Sequence, residues 1–134
     1  MFLNRLFNDG PIPLLEQSMR FAAARHEVLA DNVANLSTPG YAQKDLNPEA
    51  FQAALRDRVS QRDRGGIGAT SFDGLSKQEI ENPRRGILFH DGSNRTVEQL
   101  MTDVAKNTLS HNLYAELLRK QYATIEMALK LQVA

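Results

Sequence analysis

The sequence predicts an all-α chain. Long N- and C-terminal helices pair as an antiparallel coiled-coil-like hairpin, with an irregular, partly extended segment between them. Three observations predict it. Pro13 and Pro39 bracket a stretch with neither glycine nor proline, and a second such stretch runs from Ser93 to Ala134. Both carry apolar residues at alternating spacings of three and four, the mark of a heptad seam. Between them, from Gly40 to Gly92, lie seven of the eight glycines.

The first helix is expected over about Pro13–Leu36. Leu15, Met19, Ala22, His26, Leu29, Val33 and Leu36 form its seam. Pro13 suits a first helical turn, where its missing N–H costs nothing. Pro39 ends the helix, because the residue before a proline avoids the α region. The last helix is expected over about Thr96–Leu131. Thr96-x-x-Gln99 reads as a capping box and Glu98 places an acid in the first turn. Val97, Met101, Val104, Thr108, His111, Ala115, Leu118, Tyr122, Ile125 and Leu129 continue the seam for more than four heptads. His26 and His111 fall on opposite seams and are expected to face each other and set register. A second apolar line, Leu14, Phe21 and Val28 on one helix and Leu100, Leu113, Leu117 and Leu131 on the other, exceeds what one seam covers. It predicts contacts between copies.

The middle offers less. Pro48 to Arg56 reads as a short helix capped by Asn47. Residues 60–86 lack a period and read as loop, with an extended piece at Ile87-Leu88-Phe89. The division expected is therefore 1–46, 47–90 and 91–134. Arg56, Arg58, Arg62 and Arg64 alternate with Asp57 and Asp63, which reads as a solvated helix face.

Composition excludes several function classes. Sixteen basic and sixteen acidic residues balance, so no strong field draws the chain to nucleic acid. Cysteine is absent, which excludes disulfides and thiolate metal sites. His26, His90 and His111 are too far apart for metal-ligand spacing. Gly65-Gly66-Ile67-Gly68 lacks the Lys-Ser/Thr of a phosphate loop. The reading is no catalytic residue, no metal, no cofactor and no small-molecule substrate. Neither a signal-peptide pattern nor a membrane-length apolar run is present.

Two local motifs remain. In Asn32-Val33-Ala34-Asn35-Leu36-Ser37-Thr38-Pro39-Gly40-Tyr41, Pro39 and Gly40 occupy the central positions of a type II turn. Tyr41 is expected to pack its ring while its hydroxyl stays in water. In Asp91-Gly92-Ser93-Asn94-Arg95-Thr96-Val97, a turn dipeptide leads straight into the capping box.

The first motif resembles the signature of the flagellar basal-body rod protein family, carried here by Leu29, Ala30, Asn32, Val33, Ala34, Asn35, Thr38, Pro39, Gly40 and Tyr41. Asp91, Gly92, Asn94 and Val97 are similar to the lead-in to the C-terminal helix of a proximal member of that family. Leu36-Ser37 departs from the usual small-polar pair, and Arg95-Thr96 adds a residue before the valine. The likeness covers about residues 14–46 and 88–131. It implies a structural, non-enzymatic rod subunit in the basal body, assembling through its terminal helices and passing torque from motor to hook. It implies export through the flagellar type III apparatus without a cleaved signal. The partners implied are copies of the chain, neighbouring rod proteins and the adaptor joining rod to membrane ring. Such a subunit is expected to be partly disordered alone and to fold on assembly. The alternative is a soluble helical adaptor or secretion-chaperone-like binding module, which should be a stable folded dimer.

Overall fold

A computed structural model describes residues 10–41, 43–64, 81–83 and 94–133. Among these residues the chain is mostly helical. In order it runs α1 (Ile12–Ala34), β1 (Lys44–Leu46), α2 (Pro48–Asp63), β2 (Glu81–Pro83) and α3 (Asn94–Val133).

Helix α1 begins after Pro11 without a side-chain cap, and it ends on Asn35, whose N–H returns to the Asp31 carbonyl. Its composition favours it, being rich in Ala, Leu, Arg and Glu. Helix α3 is 40 residues, about 60 Å at 1.5 Å per residue. It starts at Asn94 rather than Thr96, so the expected cap residue lies inside the first turn.

α1 and α3 pack along each other in opposite directions. The Asn107 amide donates to the Ala22 carbonyl at 2.8 Å, and the Tyr122 hydroxyl donates to Glu16 Oε1 at 3.1 Å. Past Glu16 only one turn of α1 remains, whereas α3 continues from Tyr122 to Val133. The last turns of α3 therefore extend beyond α1.

The buried lines differ from the expected seam by one residue at every second position. On α1 the covered positions are Leu15, Ser18, Ala22, Arg25, Leu29 and Asn32. On α3 they are Val97, Leu100, Val104, Asn107, His111, Tyr114, Leu118, Gln121 and Ile125. Spacings still alternate between three and four. Leu15, Ala22, Leu29, Val97, Val104, Leu118 and Ile125 keep their expected places. Ser18, Arg25 and Asn32 lie deeper than Met19, His26 and Val33, and Leu100 and Asn107 deeper than Met101 and Thr108, while Tyr114 and Ala115 are both half-buried. Met19 is half-buried; Val33, Met101, Tyr122 and Leu129 are exposed. His26 is exposed too, so the expected histidine pairing is corrected. The physical reason is that the inward polar side chains find hydrogen-bond partners, which removes the usual penalty for burying them.

Among the described residues of the middle there is more regular structure than expected. α2 continues to Asp63, beyond the expected end at Arg56, and Asn47 caps it by accepting from the Glu49 and Ala50 N–H groups at 2.9 and 3.1 Å. β1 and β2 form an antiparallel pair with Lys44 opposite Pro83 and Leu46 opposite Glu81. Residues 81–83, expected in a loop, are thus a strand. Ile87-Leu88-Phe89 lie outside the described residues.

A small apolar cluster sits where β1 and α2 fold back on α1. Leu46 and Phe51 are buried, with Phe21, Ala24, Val28 and Leu55 packed against them. The Phe21 and Phe51 rings stack at 4.2 Å and 8°. Burying a side chain of this size stabilises by roughly 1.5–3 kcal/mol. Phe21 and Val28, expected to await a second copy, are partly covered by the chain itself. Leu100, from the same expected line, is fully buried.

Candidate functional site

The first motif forms a built turn at the end of α1. Tyr41 N–H donates to the Thr38 carbonyl at 3.2 Å, and Gly40 has φ of +77°. With Pro39 before it, this is the type II turn that the sequence predicts. Asn35 ties the turn to the helix. Its side-chain amide donates to the Asp31 carbonyl at 2.9 Å, and its Oδ1 accepts from Thr38 Oγ1 at 3.3 Å.

Asn32 is the centre of the arrangement and is fully buried. Its Nδ2 donates to the Lys44 carbonyl at 2.6 Å, and its Oδ1 accepts the Lys44 N–H at 3.1 Å. One amide thus satisfies both backbone groups of a strand residue, as a neighbouring strand would. The same Oδ1 accepts the Tyr41 hydroxyl at 3.3 Å. That corrects the expectation of a water-facing hydroxyl: Tyr41 turns back to the helix.

Two helical turns before Asn32, Arg25 meets Asp45. Nε donates to Oδ1 and Nη2 to Oδ2, both at 2.9 Å. Both side chains are largely buried, and the two-point geometry makes the contact directional. The pair lies 20 residues apart in sequence, and no local pattern announces it. A buried arginine on a helix seam, followed by an acid in an extended segment, is the faint signal it leaves.

These contacts hold β1 against α1 and line a cleft of about 380 Å³ with Asn47, Pro48, Glu49, Asp103 and Lys106. Arg25 and Asp45 bond to each other, and Asn47 Oδ1 is occupied by the α2 cap. No nucleophile-base pair stands in it. Among the described residues no group of three His, Cys, Asp or Glu could hold a metal ion, and no helix is long and apolar enough to cross a membrane.

The second motif is only partly in view. Asp91 and Gly92 lie outside the described residues, and Asn94 is the first residue of α3. Val97, its partner in the motif, is half-buried, as is the seam residue Val104.

The remaining feature is a surface. On α3, Leu109, Leu113, Leu117, Met127 and Leu131 are exposed, Leu109 by 72% and Leu131 by 79%. At helical spacing, Leu109, Leu113, Met127 and Leu131 fall on the side of α3 opposite its buried line.

Comparison with known proteins agrees with this picture. A family model described as "Flagella basal body rod protein" matches residues 19–41. That span covers most of α1 and the turn, from before Arg25 to Tyr41. The chain is similar to the flagellar basal body rod protein FlgB of Salmonella typhimurium, 27% identical over 130 residues, covering 89% of this chain and 91% of the relative. FlgB of Yersinia enterocolitica is 25% identical over 114 residues, covering 77% and 81%. FlgB of Borrelia hermsii is 23% identical over 128 residues, covering 89% and 95%. No solved structure gives a significant match.

Proposed function

We propose that this chain, which belongs to the flagellar basal-body rod protein family and is similar to FlgB over most of its length, joins copies of itself into the proximal rod through its terminal helices. It is a structural subunit of the flagellar basal-body rod; on the finer reading it passes torque from motor to hook and catalyses nothing.

The observation that carries the assembly mechanism is the double-sided apolarity of α3. One side is covered by α1, and the other exposes Leu109, Leu113, Met127 and Leu131. A heterologous contact through such a face repeats without closing on itself and builds a helical tube. In this reading α1 and α3 form the antiparallel coiled-coil-like hairpin that enters the tube wall. Asn32, Asn35, Thr38, Pro39, Gly40 and Tyr41 shape the turn that a neighbour packs against, with Asp91, Gly92 and Asn94 at the facing end of α3. Residues 1–46 and 91–134 are the assembling parts and 47–90 the variable middle. The partners are copies of the chain, adjoining rod proteins and the adaptor to the membrane ring, reached through the flagellar type III export route without a cleaved signal.

Deletion of the gene tests the reading. Electron microscopy of isolated basal bodies should show the membrane ring without a rod, with restoration by the wild-type gene. Intact rods in the deletion strain would overturn it.

A further inference from the structure

We infer that Asn107, together with the small side chain of Ala22, fixes the axial register of α3 on α1. Asn107 is 3% exposed and donates to the Ala22 carbonyl at 2.8 Å. This bond is a buried polar link between the two helices, whereas the bond from Tyr122 to Glu16 is exposed.

Heptad seams leave one question open, which is how far one helix slides along the other. A shift of seven residues, about 10 Å, preserves the apolar pattern. Here the pattern itself does little to prevent it, because aliphatic residues recur at Val97, Val104, Leu118 and Ile125. A single polar residue in a seam sets register when only one alignment satisfies it. Asn107 meets that condition. Sliding by one heptad carries it from Ala22 to Leu15 or Leu29. Both are leucines, and Leu29 is fully buried. Their larger side chains hold the facing helix farther off than the Ala22 methyl does, which takes the amide out of reach of the backbone carbonyl. The same slide brings Leu100 or Tyr114 against Ala22, which is itself buried in the present alignment. Size and hydrogen bonding therefore select one register together. The histidines that the heptads suggest for this task do not perform it, since His26 faces outward.

The consequence is positional. Register decides how far α3 extends beyond α1, and so where Met127 and Leu131 are presented. The inference concerns the chain's own helix pairing and stands apart from what the chain assembles into.

The absence of cysteine makes the test clean. Pairs of cysteines are placed in the full-length chain at Met19 and Ser110, which stand three residues on either side of the Ala22–Asn107 contact, for the native register. Met19 is paired with Asp103 or Leu117 for the two slipped ones. A short bis-maleimide is applied at low protein concentration, and intramolecular product is read by mass. With Asn107 present, the native pair should dominate. In Asn107→Leu and in the less bulky Asn107→Ala, product at a slipped pair should rise about fivefold or more, the scale set by releasing a buried amide from its single partner. A merely structural role would lower the helical signal without populating a slipped pair. If both variants crosslink only at the native pair, or crosslink at none, register is set elsewhere and the inference fails. Equal crosslinking at all three pairs with Asn107 intact would overturn it as well.

Discussion

Gly40 shows how a single residue's role divides between backbone and packing. Its φ of +77° lies where a β-carbon clashes with its own backbone, yet a β-carbon built there meets nothing within 4 Å. The constraint is conformational alone. Asn enters the left-handed region readily, while β-branched residues do so least. Gly40→Asn should therefore shift the thermal midpoint of the helical signal very little. Gly40→Val should lower stability by about 2 kcal/mol and reduce incorporation into the rod. Equal behaviour of the two variants in melting and motility would show that the turn does not need its positive φ. Asn32 sits at the other extreme. It is buried and bonded on both amide atoms, so any substitution leaves the Lys44 N–H and carbonyl to find other partners.

Among the elements, α1 and α3 were legible because long runs without glycine or proline, with heptad spacing, admit few other structures. The Pro-Gly turn and the Asn47 cap were legible for the same local reasons. What stayed hidden had distant causes. Ser18, Arg25, Asn32 and Asn107 turn inward in place of Met19, His26, Val33 and Thr108. The partners that make this favourable are the Leu14 carbonyl, Asp45, Lys44 with Tyr41, and the Ala22 carbonyl. A hydropathy pattern contains no information about such partners. The last turns of α2 are not legible, because a helix polar on most sides shows no period. β1 is not legible either, because its mate β2 lies far along the chain.

The junction of α1 and α3 also supplies a pH prediction. The Tyr122 hydroxyl is held above the ordinary phenol value, first by its hydrogen bond to Glu16, then by desolvation, then by the Glu16 charge. A raised pKa means that the contact contributes fully below the unfolded value of about 10 and is lost as pH rises through the folded value. Because Tyr122 is largely exposed, the effect on stability is small and is best read spectroscopically. The phenolate absorbance assigned to Tyr122, by difference from Tyr122→Phe, should titrate at lower pH in Glu16→Gln. An unchanged titration would mean that the two side chains do not meet in solution.

For the whole molecule, the decisive quantity is the apolar surface that one copy cannot cover. Among the described residues only Ile12, Ala22, Leu29, Leu46, Phe51, Leu100 and Leu118 form the buried apolar core, and two of them lie in the local cluster beside β1. A core this thin offsets little of the entropy of ordering long helices, which is why we expect the isolated chain to be incompletely folded. The outer face of α3 should then matter to assembly far more than to the fold of one copy. Leu109 and Leu113 stand 72% and 56% exposed, one helical turn apart. Replacing such residues usually changes stability by no more than about 0.5 kcal/mol, whereas two lysines there would have to be desolvated without partners in any subunit contact. Leu109→Lys/Leu113→Lys should therefore keep the helical signal and melting of the wild-type chain, be exported normally, and fail to restore motility to a deletion strain. Full motility in that variant would show that the exposed leucines face solvent in the rod, and that subunits join through another face.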